Sequence, residues 1–463
     1  MLFPIISAQS RASAQTRDGL LLQVMEEARI PGLSVAVLEG GKISFLGAYG
    51  VRSMATDPPV DTLSVFEAAA LTKPVVALAA LQMVDEGLLN LDRPLSEYFE
   101  YPDLAHSGRA TGITARMVLS HTSGLPNWRP SGGQLNVVNA PGKTFAYSGE
   151  GFIYLQRVLE SIARRPLHAI VEDRVLTPVG MPNSSLVWKP EFGPVVAVGH
   201  SDIGTPFDKF TPSEANAAYS LHTTAADYAR FLAFSLAGGG LSAETRAELT
   251  ETQADAGDGL AWGLGWGLES TPLGRAVWHW GDNRGFKAFV AGYPADGRGF
   301  VFFSNSDNGM LALHRLVEIL DGVPHPAVDW LAYERFDDLS FQVGRELRLA
   351  VADSTAPPLR EIYQDLKSRF DRDAFTEDTL NDLGYRLLRN GEVSAAIAVL
   401  ELNVSEYPNV ANSYDSLGEA YMVDQQMERA LLNYRVSSEM DPSNDTARAM
   451  IARLEAALRA GGR

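Results

Sequence analysis

The tetrapeptide "ALTK", residues 70–73, has the spacing of a nucleophile and its base, but the nucleophile is missing. Residues three positions apart share one face of a helix, so a serine at position 70 would lie against the amine of Lys73. A helix N-terminus also offers free backbone N–H groups to an oxyanion. The residue present is Ala70. The spacing therefore predicts the apparatus of acyl transfer without its hydroxyl group.

Lys73 is followed closely by the apolar run "VVALAALQMV", residues 75–84. These neighbours predict that its ammonium group is partly buried, and a buried amine needs a functional or ionic partner. One tetrapeptide is weak evidence of catalysis, so the interpretation depends on residues elsewhere in the chain.

Three more stretches carry residues that could do chemistry: "ITARMVLSHTSGLP" (113–126), "PGKTFAYSGEGFIYL" (141–155) and "WHWGDNRGF" (278–286). Together and in this order, they resemble the serine β-lactamase and penicillin-binding-protein superfamily. The resemblance is greatest to its class C-like branch of esterases, D-amino-acid peptidases and related acyl hydrolases. It extends over roughly residues 20–335.

The resemblance implies a role for each matching catalytic position. Ala70 stands where the family keeps its nucleophilic serine, and Lys73 is the lysine of that motif. Tyr147 matches the tyrosine of the second motif, where a lowered pKa beside the lysine would let the phenolate take the serine proton. His279 opens the third motif, "HWG", where it would donate a hydrogen bond or move a proton.

The resemblance also implies a substrate-binding set. Gly149 replaces the asparagine that many members have two residues after the tyrosine, which weakens any claim to bind β-lactams as those enzymes do. Gly281 would let a substrate backbone approach the strand edge. Trp262, Trp266 and Trp280 either fill the core or form the wall of an apolar pocket, and we include them in the binding set.

Other polar residues in these stretches have structural interpretations. We expect His121 and His222 to brace loops through hydrogen bonds. No spacing of His, Asp or Glu has the form of a metal site, and no glycine loop is of the phosphate-binding kind. We therefore predict no metal and no cofactor.

Charge excludes some partners. The 463 residues include 39 Lys+Arg and 57 Asp+Glu, a formal charge of −18, and no cysteine. This charge would repel nucleic acid and anionic lipid, and without cysteine there is no disulfide or thiolate chemistry.

No apolar run is long enough for a membrane span. The start, "MLFPIISAQS", is not a convincing signal peptide, so periplasmic, secreted and cytoplasmic locations stay open, as does the oligomeric state.

The pattern of apolar residues predicts the elements that position these motifs. "PGLSVAVLEGGKISFLGAYGV" (31–51) is typical of a hairpin, and the spacing from Ala70 to Leu89 is helical. Apolar runs typical of strands occur again at residues 275–294 and 299–309. We therefore expect a sheet built from both ends of this region around a helical insertion.

A repeat follows after about residue 340, where Ala, Leu and Glu become frequent. Leu383-Gly384, Ala396 and Pro408 recur 34 residues later as Leu417-Gly418, Ala430 and Pro442. This is the tetratricopeptide period, although a plain helical bundle is the alternative. Such arrays bind extended peptides in a concave groove. Exposure of the polar residues on that face would favour partner binding: Asn381, Arg386, Asn412 and Asp415.

The predicted fold class is mixed α/β, or α+β: a β-lactamase-like antiparallel sheet flanked by helices with a helical insertion, followed by a small all-α tetratricopeptide-like domain. The predicted organisation is a lead-in at 1–20 that could be disordered, a hydrolase domain at 21–335 with its helical insertion at about 71–205, a linker or helical connection at 336–375, and two repeats with a closing helix at 376–460.

The predicted function is that of a serine acyl hydrolase, an esterase or a peptidase on small or modified peptides, working through an acyl-enzyme. Two explanations of Ala70 are open: a deliberate Ser→Ala change, or a natural pseudoenzyme that binds without reacting. Lys73, Tyr147 and His279 persist although they would have no task in a decayed site, which favours the first. The alternatives to a hydrolase are a partner-binding repeat protein and a penicillin sensor.

Overall fold

The computed structural model of the protein describes residues 8–461, with side chains from 17 to 459. The chain divides into two compact units, Met1–Tyr333 and Glu334–Arg463. The sequence placed this boundary after residue 335. None of the helices within 8–461 is long and apolar enough to cross a membrane.

The first unit is built on an eight-stranded antiparallel sheet, which confirms the predicted fold class. Its strand order is β2-β1-β10-β9-β8-β7-β6-β5, and β3 and β4 form a separate two-stranded sheet. The strands are β1 (Gly32–Glu39), β2 (Lys42–Gly50), β3 (Phe66–Glu67), β4 (His222–Thr223), β5 (Ala254–Gly257), β6 (Leu260–Trp262), β7 (Gly267–Thr271), β8 (Gly274–Asn283), β9 (Phe286–Tyr293) and β10 (Arg298–Ser304).

The sheet joins both ends of the unit, because β1 pairs with β10 along its length, from Leu33 opposite Ser304 to Leu38 opposite Gly299. The predicted hairpin is β1-β2. Its turn residues, Gly40 and Gly41, both have positive φ, a conformation that costs glycine little and lets two strands reverse tightly.

Helices of the first unit lie mostly between β3 and β7, as the predicted insertion requires. They are α1 (Ala8–Ala28), α2 (Thr72–Asp85), α3 (Ala115–Leu119), α4 (Gly149–Ala163), α5 (Leu167–Val171), α6 (Thr177–Val179), α7 (Ala225–Leu236), α8 (Ala243–Thr250), α9 (Leu313–Asp321) and α10 (Pro326–Leu331). The helix α2 is buried on nearly all sides and lies in the largest core of the unit.

The described part of the chain starts with a helix. Residues 1–7 lie outside the described residues, but Ala8 to Ala28 form α1. Leu21, Val24, Met25 and Ala28 are buried at helical spacing. Residues 8–20 are part of this helix, and the division at residue 20 stays a prediction.

The second unit is entirely helical over its described residues. Its helices are α11 (Leu339–Ala352), α12 (Leu359–Arg369), α13 (Glu377–Arg389), α14 (Val393–Glu406), α15 (Ala411–Val423), α16 (Met427–Met440) and α17 (Asp445–Gly461). The segment predicted as a connection, 336–375, holds α11 and α12, which share a core with α13 and α14. These two helices therefore pack with the later ones, and the predicted division of this region stays a prediction.

The helix starts follow the sequence repeat: α13 and α15 start at Glu377 and Ala411, and α14 and α16 start at Val393 and Met427, each pair 34 residues apart. A Cβ on Gly384 would lie 2.5 Å from Leu400 Cδ2, so only glycine lets α13 and α14 approach this closely. The tetratricopeptide assignment stays a prediction.

The polar residues predicted for a binding groove are largely engaged within the second unit. Asn412 donates to Glu377 at 3.2 Å, and Asp415 accepts from Asn444 at 2.9 Å. Arg386 is 2.6 Å from Glu334. Asn381 keeps a buried Oδ1 without a hydrogen bond among the described residues. Partner binding by this face stays a prediction.

Candidate active site

Position 70 lies at a sharp turn between β3 and α2. A 3₁₀ turn, Ala69–Leu71, leads directly into α2. Ala69 has φ of 49°, a left-handed conformation that strains a residue with a side chain, and such strain concentrates at functional sites. Thr72 fixes the turn because its hydroxyl donates to Ala69 O at 2.6 Å and accepts from Leu221 N at 3.0 Å. Ala70 itself is half-buried.

Lys73 is almost completely buried one helical turn beyond Ala70. Its Nζ donates to the carbonyl oxygen of Ala218 at 2.9 Å and lies 4.8 Å from the centre of the Tyr147 ring. No described carboxylate forms an ion pair with it. Burial lowers the pKa of Lys73 from 10.5 to about 7, so a large share of the amine is neutral near neutral pH. A neutral amine can accept a proton.

Tyr147 lies immediately before the N-cap of α4, Ser148, whose hydroxyl accepts from Gly151 N at 2.9 Å. The hydroxyl of Tyr147 is buried and makes no hydrogen bond to the described residues. Burial raises its pKa well above 10. The lowered pKa implied by the resemblance is therefore wrong, because burial disfavours the phenolate and the neighbouring amine is itself neutral about half the time.

His121, which the sequence assigned to loop bracing, lies in the centre of the site. Its ring is 4.2 Å from the ring of Tyr147, centre to centre, and its Nδ1 accepts from Ser148 N at 3.1 Å. Burial, followed by the charges of Lys73 and His279, lowers its pKa well below 6.5. The neutral ring of His121 packs against the ring of Tyr147 and supports its position. Its bracing role was predicted, but its contact with the tyrosine was not.

His279 is fully buried, and burial determines its charge. Its Nδ1 lies 2.8 Å from Trp280 O, while Nε2 has no partner among the described residues. Burial and then the charge of Lys73 lower its pKa to about 3, against the opposite effect of the Trp280 carbonyl. His279 therefore stays neutral near pH 7, and its part in hydrogen bonding or proton transfer stays a prediction. It can orient the site as a neutral group.

The strand β8 presents an open edge beside position 70. Its neighbour β7 begins at Gly267, opposite Trp278, so within the described chain residues 279–283 have no partner strand on that side. The two-residue loop 284–285 closes the hairpin with β9 and fixes which backbone groups bond across it. By alternation, the N–H and C=O groups of Trp280 and Asp282 point to the open edge.

Gly281 brings this edge close to position 70. A Cβ there would be 2.5 Å from Ala68 O and 3.2 Å from the Cβ of Ala69. Any larger residue would push the strand away from the turn. The close neighbour seen here is the turn itself, and the approach of a substrate backbone at this glycine stays a prediction.

Gly149 has no room for the asparagine that its motif position often carries. A Cβ on Gly149 would lie 2.7 Å from the Trp128 ring and 3.0 Å from Asn127 O. Asn127 also accepts from Gly149 N through its side-chain oxygen at 3.0 Å. The exposed ring of Trp128 thus occupies the space, and Gly149 has no side chain to offer a substrate.

The predicted tryptophan wall is only partly at the site. Trp280 is half-buried with its ring 4.6 Å from that of Tyr147. Trp262 is completely buried behind Tyr147 and His121, so it supports the site without reaching the substrate. Trp266 is buried elsewhere and stacks on Phe231, so its assignment to the substrate pocket is wrong.

One wall residue was missed by the sequence analysis. Trp330 of α10 lies 6.0 Å from Trp280, ring to ring, and its Nε1 donates to Ala256 O at 3.1 Å. No motif marks it, because it is far from the others in the chain. His222, by contrast, lies 6.0 Å from Phe192 and from Phe210 in stacked arrangements, a packing position.

A cleft of about 700 Å³ opens next to the site. Its lining includes Glu67, Trp128, Tyr219 and Asp282. Glu67 lies three residues before Ala70, and Asp282 follows Gly281. Trp128 lies against Gly149, and Tyr219 follows Ala218, which bonds to Lys73. Within residues 17–459, no group of three or more His, Asp or Glu side chains is arranged to hold a metal ion.

Comparisons with known proteins agree with this geometry. A family model described as "Beta-lactamase" matches residues 18–322. Protein flp of Staphylococcus aureus (strain MRSA252) is 23% identical over 334 residues, which are 67% of this chain and 66% of that protein. Penicillin-binding protein 4* of Bacillus subtilis (strain 168) is 23% identical over 314 residues, 59% of this chain and 68% of the relative. The chain thus spans about two thirds of the length of these relatives.

Among solved structures, the D-alanine carboxypeptidase AmpC from Burkholderia cenocepacia has a TM-score of 0.59 and 21% identity. The match covers 68% of this chain and 99% of that one. At this identity the likeness shows the fold of the first unit and does not extend to its activity.

Proposed function

Because the chain belongs to the beta-lactamase family, we propose that its site, with serine at position 70, is that of a serine acyl hydrolase. The proposed substrates are small esters or short, modified or D-residue peptides. The observation that carries the proposal is Lys73, a buried amine with a lowered pKa, one helical turn from half-buried Ala70, which follows strained Ala69 and lacks only a hydroxyl.

The proposed reaction begins at a serine hydroxyl on residue 70. Neutral Lys73 takes the hydroxyl proton while the oxygen bonds to the substrate carbonyl carbon. The carbonyl oxygen becomes an oxyanion between the N–H of residue 70 and an N–H on the open edge of β8 near Gly281. Collapse of this intermediate breaks the bond to the leaving group, which takes the proton from Lys73 directly or through the hydroxyl of Tyr147.

Hydrolysis of the acyl-enzyme repeats these steps with water. Lys73 takes a proton from the attacking water, and the ester bond to residue 70 breaks as the serine oxygen takes that proton back. Tyr147 remains a phenol throughout, because its pKa is raised by burial. His279 and His121 remain neutral and fix the positions of the strand and of the tyrosine.

Dedicated β-lactam hydrolysis is disfavoured by the ring of Trp128 in the place of the motif asparagine. That amide would contact both the lysine and a substrate carbonyl. Esters and small peptides depend less on such a contact, since the open edge of β8 can bind a substrate backbone.

The test is to restore the hydroxyl with Ala70→Ser. We expect the serine form to turn over a chromogenic short-chain ester or a D-amino-acid anilide, and to gain one acyl mass in intact mass spectrometry. The Ala70 chain should be slower by on the order of a million-fold, the usual effect of removing such a nucleophile. The double variant Ala70→Ser, Lys73→Met is the control, because it has the hydroxyl without the base.

A second candidate, favoured by Ala70 itself, is a protein that binds these ligands and does not react. If the serine form is folded, shows no turnover and gains no mass with the ester, the anilide or a labelled penicillin, this candidate replaces the hydrolase. Slow, stable acylation by the penicillin alone would instead indicate a sensor.

A further inference from the structure

The cleft lies beside the proposed reaction centre, and neighbours of the site residues line it. Glu67 lies three residues before Ala70 and lines the cleft. On another wall, Trp128 lies against Gly149, and Tyr219 follows Ala218, whose carbonyl accepts from Lys73. A substrate bonded to residue 70 would therefore have this space of about 700 Å³ next to it.

Aromatic side chains form much of the wall. Trp128 and Tyr219 meet edge to face at 5.8 Å, and Phe210 lies 6.0 Å from Tyr219. Phe207 completes this side. Such a wall favours an apolar or aromatic group, and aromatic faces also attract cations.

Carboxylates exceed cations in the same lining. Asp282 is paired with Lys287, which lies 3.0 Å from its Oδ1 and also 2.8 Å from Asp307. Glu67 and Asp208 form no ion pair with any described side chain. Arg284, whose guanidinium carbon lies 4.0 Å above the Phe207 ring, is the cation among the lining residues that the structure describes.

Glu67 is the carboxylate best placed to meet a ligand. Only 8% of it is exposed, and its Oε2 accepts from Asn283 Nδ2 at 2.9 Å. Burial raises its pKa to about 7, against the opposing effects of the Asn283 hydrogen bond and of Lys287. Its charge is therefore only partly compensated within the protein, and an arriving cation would stabilise it.

We propose that this cleft binds a primary ammonium group of the substrate, carried beside an apolar or aromatic group, and that Glu67 accepts the hydrogen bond from that ammonium. The inference rests on the proposed function for the identity of position 70 as the reaction centre. The ammonium can be the free α-amine of a peptide N-terminus or the amine of a basic side chain, and the experiment separates the two.

Binding is measured by calorimetry on the Ala70 chain, which cannot consume the ligands, at about pH 7, where an α-amine is largely protonated and Glu67 is near its pKa. The ligands are phenylalaninamide, with a free α-amine, Nα-acetyl-lysinamide, with a side-chain amine, and neutral Nα-acetyl-phenylalaninamide, each as both enantiomers. We expect at least one ammonium ligand to bind about tenfold or more tightly than the neutral one, as for a hydrogen bond to a charged group. The tighter of the two identifies the source of the amine.

Glu67→Gln should abolish this preference and leave the affinity for the neutral ligand unchanged, because glutamine can still accept from Asn283. Glu244→Gln, at an exposed carboxylate in α8, should leave both affinities unchanged. Equal binding of charged and neutral ligands, or a preference that survives Glu67→Gln, would overturn the proposal. Since no turnover is involved, an inactive Ala70→Ser variant would contradict the hydrolase and leave this result standing.

Discussion

Lys73 is a buried amine whose cost to the fold depends on pH. Burial lowers its pKa from 10.5 to about 7, and its hydrogen bond is to the neutral carbonyl of Ala218. Between pH 7 and 10.5 the unfolded chain holds a proton that the folded chain has lost, so stability rises with pH across this window. Below pH 7 the folded chain also holds the proton, and the full free-energy cost of burying the charged amine applies. A residue that costs stability in this way is typical of a site kept for chemistry or binding.

Replacing this amine should therefore stabilise the protein. At about pH 6, Lys73→Met should raise the free energy of unfolding by roughly 3–4 kcal/mol, the cost of the shifted pKa less the lost hydrogen bond. At about pH 10.5 the gain should nearly vanish, because the unfolded amine is then about half neutral as well. Chemical denaturation of both chains at the two pH values measures the difference.

Lys287 is the matched control, since it is also buried but lies 2.8 Å from Asp307 and 3.0 Å from Asp282. These carboxylates outweigh burial and raise its pKa. Lys287→Met would leave them without a partner, so it should destabilise at both pH values. A destabilising Lys73→Met at pH 6 would contradict a depressed pKa for Lys73.

The residue types of the site could be predicted from the sequence, but the protonation states of these residues could not. The motifs identified Lys73, Tyr147 and His279 by order and spacing. The direction of the Tyr147 shift was wrong, because it depends on burial by residues such as His121 and Trp280, which are remote in sequence. Glu67 was missed for the same reason: a lone glutamate in β3 has no pattern until the cleft brings its partners around it.

Among the elements, α9 and α10 are tied to the sheet by a buried histidine. His325 Nδ1 lies 2.6 Å from Glu269 of β7, and its Nε2 lies 2.8 Å from Asp321 of α9. Glu269 also accepts from Ala327 N at 3.0 Å. Burial lowers the pKa of His325, but the hydrogen bonds and charges of the two carboxylates outweigh it and raise the pKa to about 9. This clamp positions α10, which carries Trp330 to the site.

The clamp should weaken in alkali. Because the folded pKa of His325 lies above the unfolded 6.5, its contribution is complete below pH 6.5 and is lost as pH rises through 9. His325→Gln should lower the free energy of unfolding by roughly 2–3 kcal/mol at about pH 6, and by less at about pH 10. Exposed His106→Gln should change it by less than about 0.5 kcal/mol at either pH. A constant cost of His325→Gln across this range would contradict the raised pKa.

Periodicity predicted the sheet, its hairpin and the helical array, because these elements repeat along the chain. It failed where a turn intervenes. Trp262 and Trp266 are close in sequence, but the turn between β6 and β7 sends one behind Tyr147 and the other towards Phe231. The helices α11 and α12 were assigned to a connection because they lack the exact 34-residue spacing of the later pairs.

For the whole molecule, each unit has a core of its own, so we expect two unfolding transitions. The seven tryptophans all precede Glu334. Tryptophan fluorescence therefore reports the first unit alone, whereas the far-ultraviolet circular dichroism signal of helices reports both units.

Substitutions at two glycines of the second unit test whether these two transitions are separate. A Cβ on Gly384 meets buried Leu400 at 2.5 Å, so Gly384→Ala should destabilise the helical unit by roughly 1–3 kcal/mol. A Cβ on Gly344 of α11 meets only Thr379 O at 3.9 Å, so Gly344→Ala should be neutral or stabilise by up to about 1 kcal/mol. Both should leave the fluorescence transition unchanged. If Gly384→Ala moved the fluorescence and dichroism transitions together, the two units would unfold as one cooperative system, and the repeat array would be part of what stabilises the site.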